Sequence, residues 1–136
     1  MNEQWLLWNE NLAGKYNITS ITYTLDGGFK IELEQCKNCK VKIKLFFERG
    51  VYAYRFADEI LMSNLITQLV EKYGINSVKD RTFYTVDNSE YLSWLSSKSG
   101  GLADYRSLQH FAFICSDSTL DVIANYEPTI EVIEEK

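Results

Sequence analysis

The stretch that decides the fold is ITYTLDGGFKIELEQCKNCKVKIKLFF, residues 21–47. Ile21, Tyr23 and Leu25 alternate with Thr22 and Thr24. Phe29, Ile31 and Leu33 alternate with Lys30, Glu32 and Glu34. Val41, Ile43, Leu45 and Phe47 alternate with Lys40, Lys42 and Lys44. A period of two means strands with one buried face. Residues directly opposite in an antiparallel pair share a face, so odd-numbered apolar residues must face odd-numbered ones. Leu25 opposite Phe29 then leaves the loop Asp26-Gly27-Gly28, with Gly28 in the left-handed position that such loops need. Gln35 opposite Cys39 leaves Cys36-Lys37-Asn38, with Asn38 supplying the left-handed step. This register pairs Leu33 with Val41 and Ile31 with Ile43. On the outer face it pairs Glu34 with Lys40 and Glu32 with Lys42. It places Cys36 at an exposed tip and turns Cys39 inward.

Working outward, ERGVYAYRF (48–56) reads as a turn and a fourth strand. ADEILMSNLITQLVEKYG (57–74) reads as a helix with Leu61, Leu65, Leu69 and Tyr73 along one face. Met62, Ile66 and Val70 lie beside that row, and Gly74 supplies the stop. TFYTVDN (82–88) is a short strand. A second helix follows, with Asp87 as N-cap and Glu90 completing a capping box. Tyr91, Leu92 and Leu95 form its apolar side. The last third reads as a hairpin turning at Ser116-Asp117-Ser118, then a final strand after Pro128. EQWLLWNEN (3–11) reads as a short helix or a loop. The expected class is α+β: an antiparallel sheet made of an N-terminal three-to-four-stranded meander and a C-terminal hairpin, with two main α-helices on one face or end. With 136 residues and no linker or repeat, residues 1–136 form a single domain.

Composition narrows the function classes. The net charge of −5 disfavours a nucleic-acid binder, which carries a basic balance. No apolar run reaches the length of a membrane helix. The acidic, short-apolar N-terminus is unlike a signal peptide. Three cysteines, an odd number, suit a reducing compartment rather than a disulfide framework. These point to a cytoplasmic protein. Charge is uneven: residues 30–55 hold seven Lys and Arg against three acids, and residues 100–136 hold two against seven. An acidic surface of this kind suits a basic partner.

The candidate chemistry is thin. Cys36, Cys39, His110 and Cys115 would make a zinc shell by residue type. His110 and Cys115 lie five apart on one strand, however, and so on opposite faces. His110 is the only histidine, and no strained G-x-S-x-G elbow presents a serine to it. Glycines in DGGF and KSGG lack a phosphate-loop frame. The lysines of KVKIK are matched by Glu32 and Glu34. No catalytic residue, metal or cofactor is expected. Trp5, Trp8, Tyr52, Tyr54, Trp94, Tyr105 and Tyr126 are more large aromatics than one core readily hides. Such residues are enriched at interfaces.

The segments NSEYLSWL (88–95), HFAF (110–113) and DVIANYEP (121–128), with a weaker match in FFERGVYAYRFADE (46–59), resemble a set of small acidic bacterial proteins. These look like the immunity proteins encoded beside toxins of contact-dependent inhibition and polymorphic toxin systems. The resemblance implies a cytoplasmic binding protein that neutralises a cognate, basic toxin domain and catalyses nothing itself. It carries no functional motif residue by residue. The partner contacts read from charge are Asp104, Tyr105, Asp117, Asp121, Glu127 and Glu131. The alternative is a small enzyme or ligand-binding domain with its site near His110.

Overall fold

The computed structural model describes residues 2–101 and 107–135. Among these residues nine strands form two antiparallel sheets, accompanied by three α-helices. In chain order the strands are β1 (Gln4–Leu7), β2 (Tyr16–Thr24), β3 (Gly28–Gln35), β4 (Val41–Phe47), β5 (Ala53–Asp58), β6 (Phe83–Asp87), β7 (Gln109–Ile114), β8 (Ser118–Ala124) and β9 (Thr129–Glu134). The helices are α1 (Ser63–Tyr73), α2 (Ile75–Lys79) and α3 (Glu90–Lys98). A 3₁₀ turn, Glu59–Met62, leads into α1. The class is α+β, as the alternation implies, but the strands group differently. One sheet runs β2-β3-β4-β9 and the other β1-β6-β7-β8-β5. The fourth strand thus leaves the meander and pairs with β8, while the final strand closes the meander against β4. EQWLLWNEN is neither helix nor loop at its start: β1 pairs with β6.

The meander keeps its predicted parity and slips by two residues. Tyr23 faces Phe29 and Thr24 faces Gly28, so Leu25, Asp26 and Gly27 form the loop and Leu25 is left exposed. Leu33 faces Ile43, Ile31 faces Leu45, Glu34 faces Lys42 and Glu32 faces Lys44. A slip of two leaves every side chain on its face, which is why alternation alone does not detect it. Two local bonds explain the longer second loop. Asn38 accepts the Lys40 amide on its side-chain oxygen at 3.1 Å and the Val41 amide on its carbonyl at 3.0 Å. It closes its own turn instead of taking the left-handed step. Cys36 is exposed as expected, but Cys39 is exposed too, since it stays in this loop.

Gly28 does take the left-handed conformation, with φ of 85°. A Cβ there would lie 2.6 Å from the Phe47 carbonyl oxygen and 2.8 Å from that of Glu48. Gly28→Ala should therefore cost about 1–3 kcal/mol from backbone strain alone, and more for pushing β4 aside. Gly27→Ala meets only the side chain of Thr24 and has no positive φ, so its loss should be smaller. Urea midpoints of the two variants check this order.

The two sheets pack face to face. Phe29, Ile31, Leu33, Ile43, Leu45 and Phe47 from one meet Phe83, Phe111, Phe113, Leu120 and Val122 from the other. The opposite face of the five-stranded sheet carries a second cluster, in which Trp5, Tyr84, Val86, Ala112 and Ile114 pack against Leu69 of α1 and Val78 of α2. The layers are sheet, sheet and helices. Leu61 does not join Leu65 and Leu69. It lies in the tighter 3₁₀ turn, whose three residues per turn rotate it off the helix face, and it is exposed. At α3 the N-cap is Ser89, not Asp87: Asp87 ends β6, and Asn88 turns the chain with φ of 54°. Among the described residues no helix is long and apolar enough to cross a membrane.

Candidate functional site

Two features stand out once the sheets are assembled. The first is a buried chain of polar groups on the helix side of the five-stranded sheet. β6 ends, Asn88 turns, and Ser89 caps α3 by accepting the Leu92 amide at 3.0 Å. The same hydroxyl lies 2.7 Å from Nδ1 of His110 on β7. Nε2 of His110 is 2.6 Å from Asp121 Oδ1 on β8, and Asp121 Oδ2 accepts Nε of Arg55 on β5 at 2.7 Å. An ionised carboxylate only accepts, so Nε2 carries a proton and donates it to Asp121. The Arg55 guanidinium sits 4.0 Å over the Tyr91 ring, and Tyr91 and Trp5 enclose the imidazole edge-on.

Ser89, His110 and Asp121 are all buried. Burial would raise the Asp121 carboxyl, but the hydrogen bond and field of His110, together with Arg55, outweigh it and hold the group below its ordinary range. The order hydroxyl, imidazole, carboxylate is that of a hydrolytic relay. Two amides at the start of α3 are already bonded within the chain. The Glu90 amide is taken by the Glu3 carboxylate at 2.8 Å and the Leu92 amide by Ser89 itself. These are two of the donors at the helix start that an oxyanion could use. A cleft of about 420 Å³ touches Ser89 and His110 from one side, with Trp8, Asp87, Gln109 and Glu127 in its wall. What the relay does best is tie α3, β7, β8 and β5 together.

The second feature is the outer edge of that sheet. β5 is an edge strand, so one side of its backbone has no sheet partner among the described residues. Tyr54 and Phe56 point to the inter-sheet side, beyond the cover of the other sheet. Tyr54 packs on Phe29 and Tyr23, with ring centroids 4.7 and 6.2 Å away, and remains exposed with Phe56. Ile60 and Leu61 follow in the 3₁₀ turn at 77% and 79% exposure, which is extreme for such side chains. Three exposed acids adjoin them. Asp58 caps the turn through Ile60 N, Glu59 is its first residue, and the Glu59 amide bonds the carbonyl of Asp117 at 3.2 Å.

The contacts read from charge do not gather into one surface. Asp104 and Tyr105 lie outside the described residues. Asp117 is exposed beside Glu59. Asp121 is corrected from a surface contact to the centre of the buried relay. Glu127 is exposed and accepts from the Trp8 indole at 3.4 Å, and Glu131 is exposed on β9 opposite Lys44. Of the surplus aromatics, Trp5 is buried, Trp8 and Tyr126 pack against the core, and Tyr52, Tyr54 and Trp94 are exposed. Tyr105 again lies outside. Cys115 packs between the sheets while His110 faces the helices, as their odd separation requires. Among the described residues no group of three His, Cys, Asp or Glu side chains is placed to hold a metal ion.

Phe56, Ile60 and Leu61 went unnoticed as surface residues because their apolar character reads as core. The available signal was that Tyr52, Tyr54 and Phe56 alternate in the same parity and run straight into further apolar residues. The molecule is thus a two-sheet α+β domain with an internally satisfied polar relay and an open apolar edge. Comparisons with protein-family models, curated proteins and solved structures found no match to the chain.

Proposed function

We propose that this chain is an immunity-type binding protein of the bacterial cytoplasm, which captures a basic toxin domain and blocks it by occlusion, with no catalysis of its own. The observation that carries the reading is the edge formed by Tyr54, Phe56, Ile60 and Leu61, exposed and rimmed by Asp58, Glu59 and Asp117. Apolar side chains at the centre with like charges at the rim suit a partner that presents an apolar spot within a basic surface. The acids steer the encounter, and the apolar centre supplies the affinity. The relay around His110 supports binding over chemistry in one respect, that the Glu90 and Leu92 amides beside it are already bonded within the chain. That weighs against the alternative of a ligand site at His110.

The test is co-expression with the toxin domain encoded beside this chain. Cells carrying both should grow, and cells carrying the toxin alone should die. Phe56→Ala combined with Leu61→Asp should weaken the purified complex by about 30-fold or more, the loss typical of a central interface anchor. Both positions are exposed, so the variant should remain folded by circular dichroism. Equal killing with and without the chain would rule out the reading. An unchanged affinity in the double variant would rule out this edge.

A further inference from the structure

A cleft of about 440 Å³ lies between the start of β2, the end of β3 and the segment after α2. Lys15, Lys37, Lys79 and Arg81 line it together with Gln35, and Asp80 is the single acid there. This concentration of positive charge stands out in a chain of net charge −5. None of the four cations forms an ion pair among the described residues, where the pairs are Lys42–Glu135, Arg55–Asp121 and His110–Asp121.

Two of the four are half-buried in an unusual way. The Lys15 ammonium is held by three backbone carbonyls, those of Val78 at 2.7 Å, Arg81 at 3.1 Å and Ile114 at 2.6 Å. Carbonyl dipoles fix it in place but do not neutralise it, and loss of water around it lowers its pKa. Arg81 Nη1 is buried with no hydrogen-bond partner, and it is the only such side-chain atom among the described residues. A buried donor without an acceptor is costly, and in native proteins it calls for a specific explanation. Turning that guanidinium toward an acceptor in the cleft would forfeit no bond at Nη1. An anion in the cleft would give Arg81 an acceptor and offset the charge of Lys15.

We infer that this cleft binds a small tetrahedral oxyanion, a phosphate either free or as the head of a small phosphomonoester, with Arg81 as its principal hydrogen-bond donor and Lys15, Lys37 and Lys79 supplying the field. Arginine suits the role because its planar fork matches two oxygens of a phosphate. The volume accommodates a phosphate with a short carbon backbone. The site shares no residue with the apolar edge, so it stands or falls separately from the toxin-binding reading.

The experiment is an amide NMR titration of the intact chain with sodium phosphate, and separately with glycerol phosphate, against sodium chloride at matched ionic strength. Saturable shifts are expected at the amides of Gly14, Gln35, Lys37 and Asp80 with at least one phosphate probe, and not with chloride. Saturation by inorganic phosphate identifies a free-anion site. Saturation by glycerol phosphate alone identifies a phosphomonoester site. Arg81→Gln should weaken the binding about tenfold or more, as befits loss of a charge-assisted hydrogen bond. Should that variant fail to fold, the double variant Lys37→Gln/Lys79→Gln removes two exposed cations and should weaken the affinity in the same direction. No saturation with either phosphate, or unchanged affinity in the folded variants, would overturn the inference.

Discussion

Asp121→Ala should destabilise the domain by about 3 kcal/mol, because it removes the shared acceptor of two hydrogen bonds, one of them from a buried imidazole. The carboxylate is the hub of the relay. Without it, Nε2 of the buried His110 loses its acceptor at 2.6 Å, and Arg55 loses the bond that seats it over Tyr91. His110 cannot turn to bulk water without opening the contact between α3 and the sheet. Arg55 is half exposed and will recover part of its solvation, so most of the loss belongs to the histidine side. Urea unfolding measures it, with an unchanged slope showing that the native state is otherwise intact.

The same residue fixes the acid limb of the stability curve. Its carboxyl titrates below the ordinary value of 3.8 in the folded chain, although burial pulls the other way. Over the window between the two values the unfolded chain binds more protons, so stability rises with pH there. The contribution is full above about 3.8 and is lost as pH falls through the folded value. Wild-type and Asp121→Asn stabilities should therefore differ most near neutrality and converge in acid. A constant gap across that range would show that the carboxylate is not the source.

Phe111→Ala should cost about 3–5 kcal/mol, as large-to-small changes in closed cores do. Phe111 is fully buried on β7 and faces the second sheet. Its ring meets Phe47 of β4 edge-on at 5.7 Å and Trp8 at 5.5 Å. It therefore joins the meander, the five-stranded sheet and the N-terminal segment at one point. Loss of its ring leaves a void lined by rigid rings on two sides, and such walls collapse poorly. Trp94→Ala deletes a larger side chain but an exposed one, and it should change stability by no more than about 0.5 kcal/mol. Guanidinium midpoints for the pair test whether position rather than size decides. Equal losses would mean that the sheet-to-sheet contact is not where the core is closed.

The alternation in residues 21–47 was enough to place Phe29, Ile31, Leu33, Ile43, Leu45 and Phe47 inside, and all six are buried. Gly28 was legible for the same reason: a short loop between strands of known parity demands a left-handed residue. The register within that parity was not legible. Asn38 could step left-handed or bond its own downstream amides, and both choices satisfy the same pattern. β5 was legible as a strand but not as a member of the other sheet, because its alternation says nothing about which neighbour it pairs with. The relay was the least legible. Asp121 stands inside the apolar run STLDVIAN (118–125), where a lone acid signals a buried partner as readily as a surface contact. Its partners Arg55 and His110 come from two other strands, and Ser89 joins the relay through His110.

By itself the sequence determined the α+β class, the hairpin of β7 and β8, the buried face of the meander and the absence of a long apolar helix. Each rests on periodicity or on a local turn, and both act between residues close along the chain. Only the tertiary structure decided how the strands divide between two sheets. It alone brought His110 between Ser89 and Asp121, left Phe56, Ile60 and Leu61 uncovered, and gathered Lys15, Lys37, Lys79 and Arg81 around one cleft. Those outcomes depend on packing between segments far apart in sequence, where one residue's burial is set by what another element happens to cover.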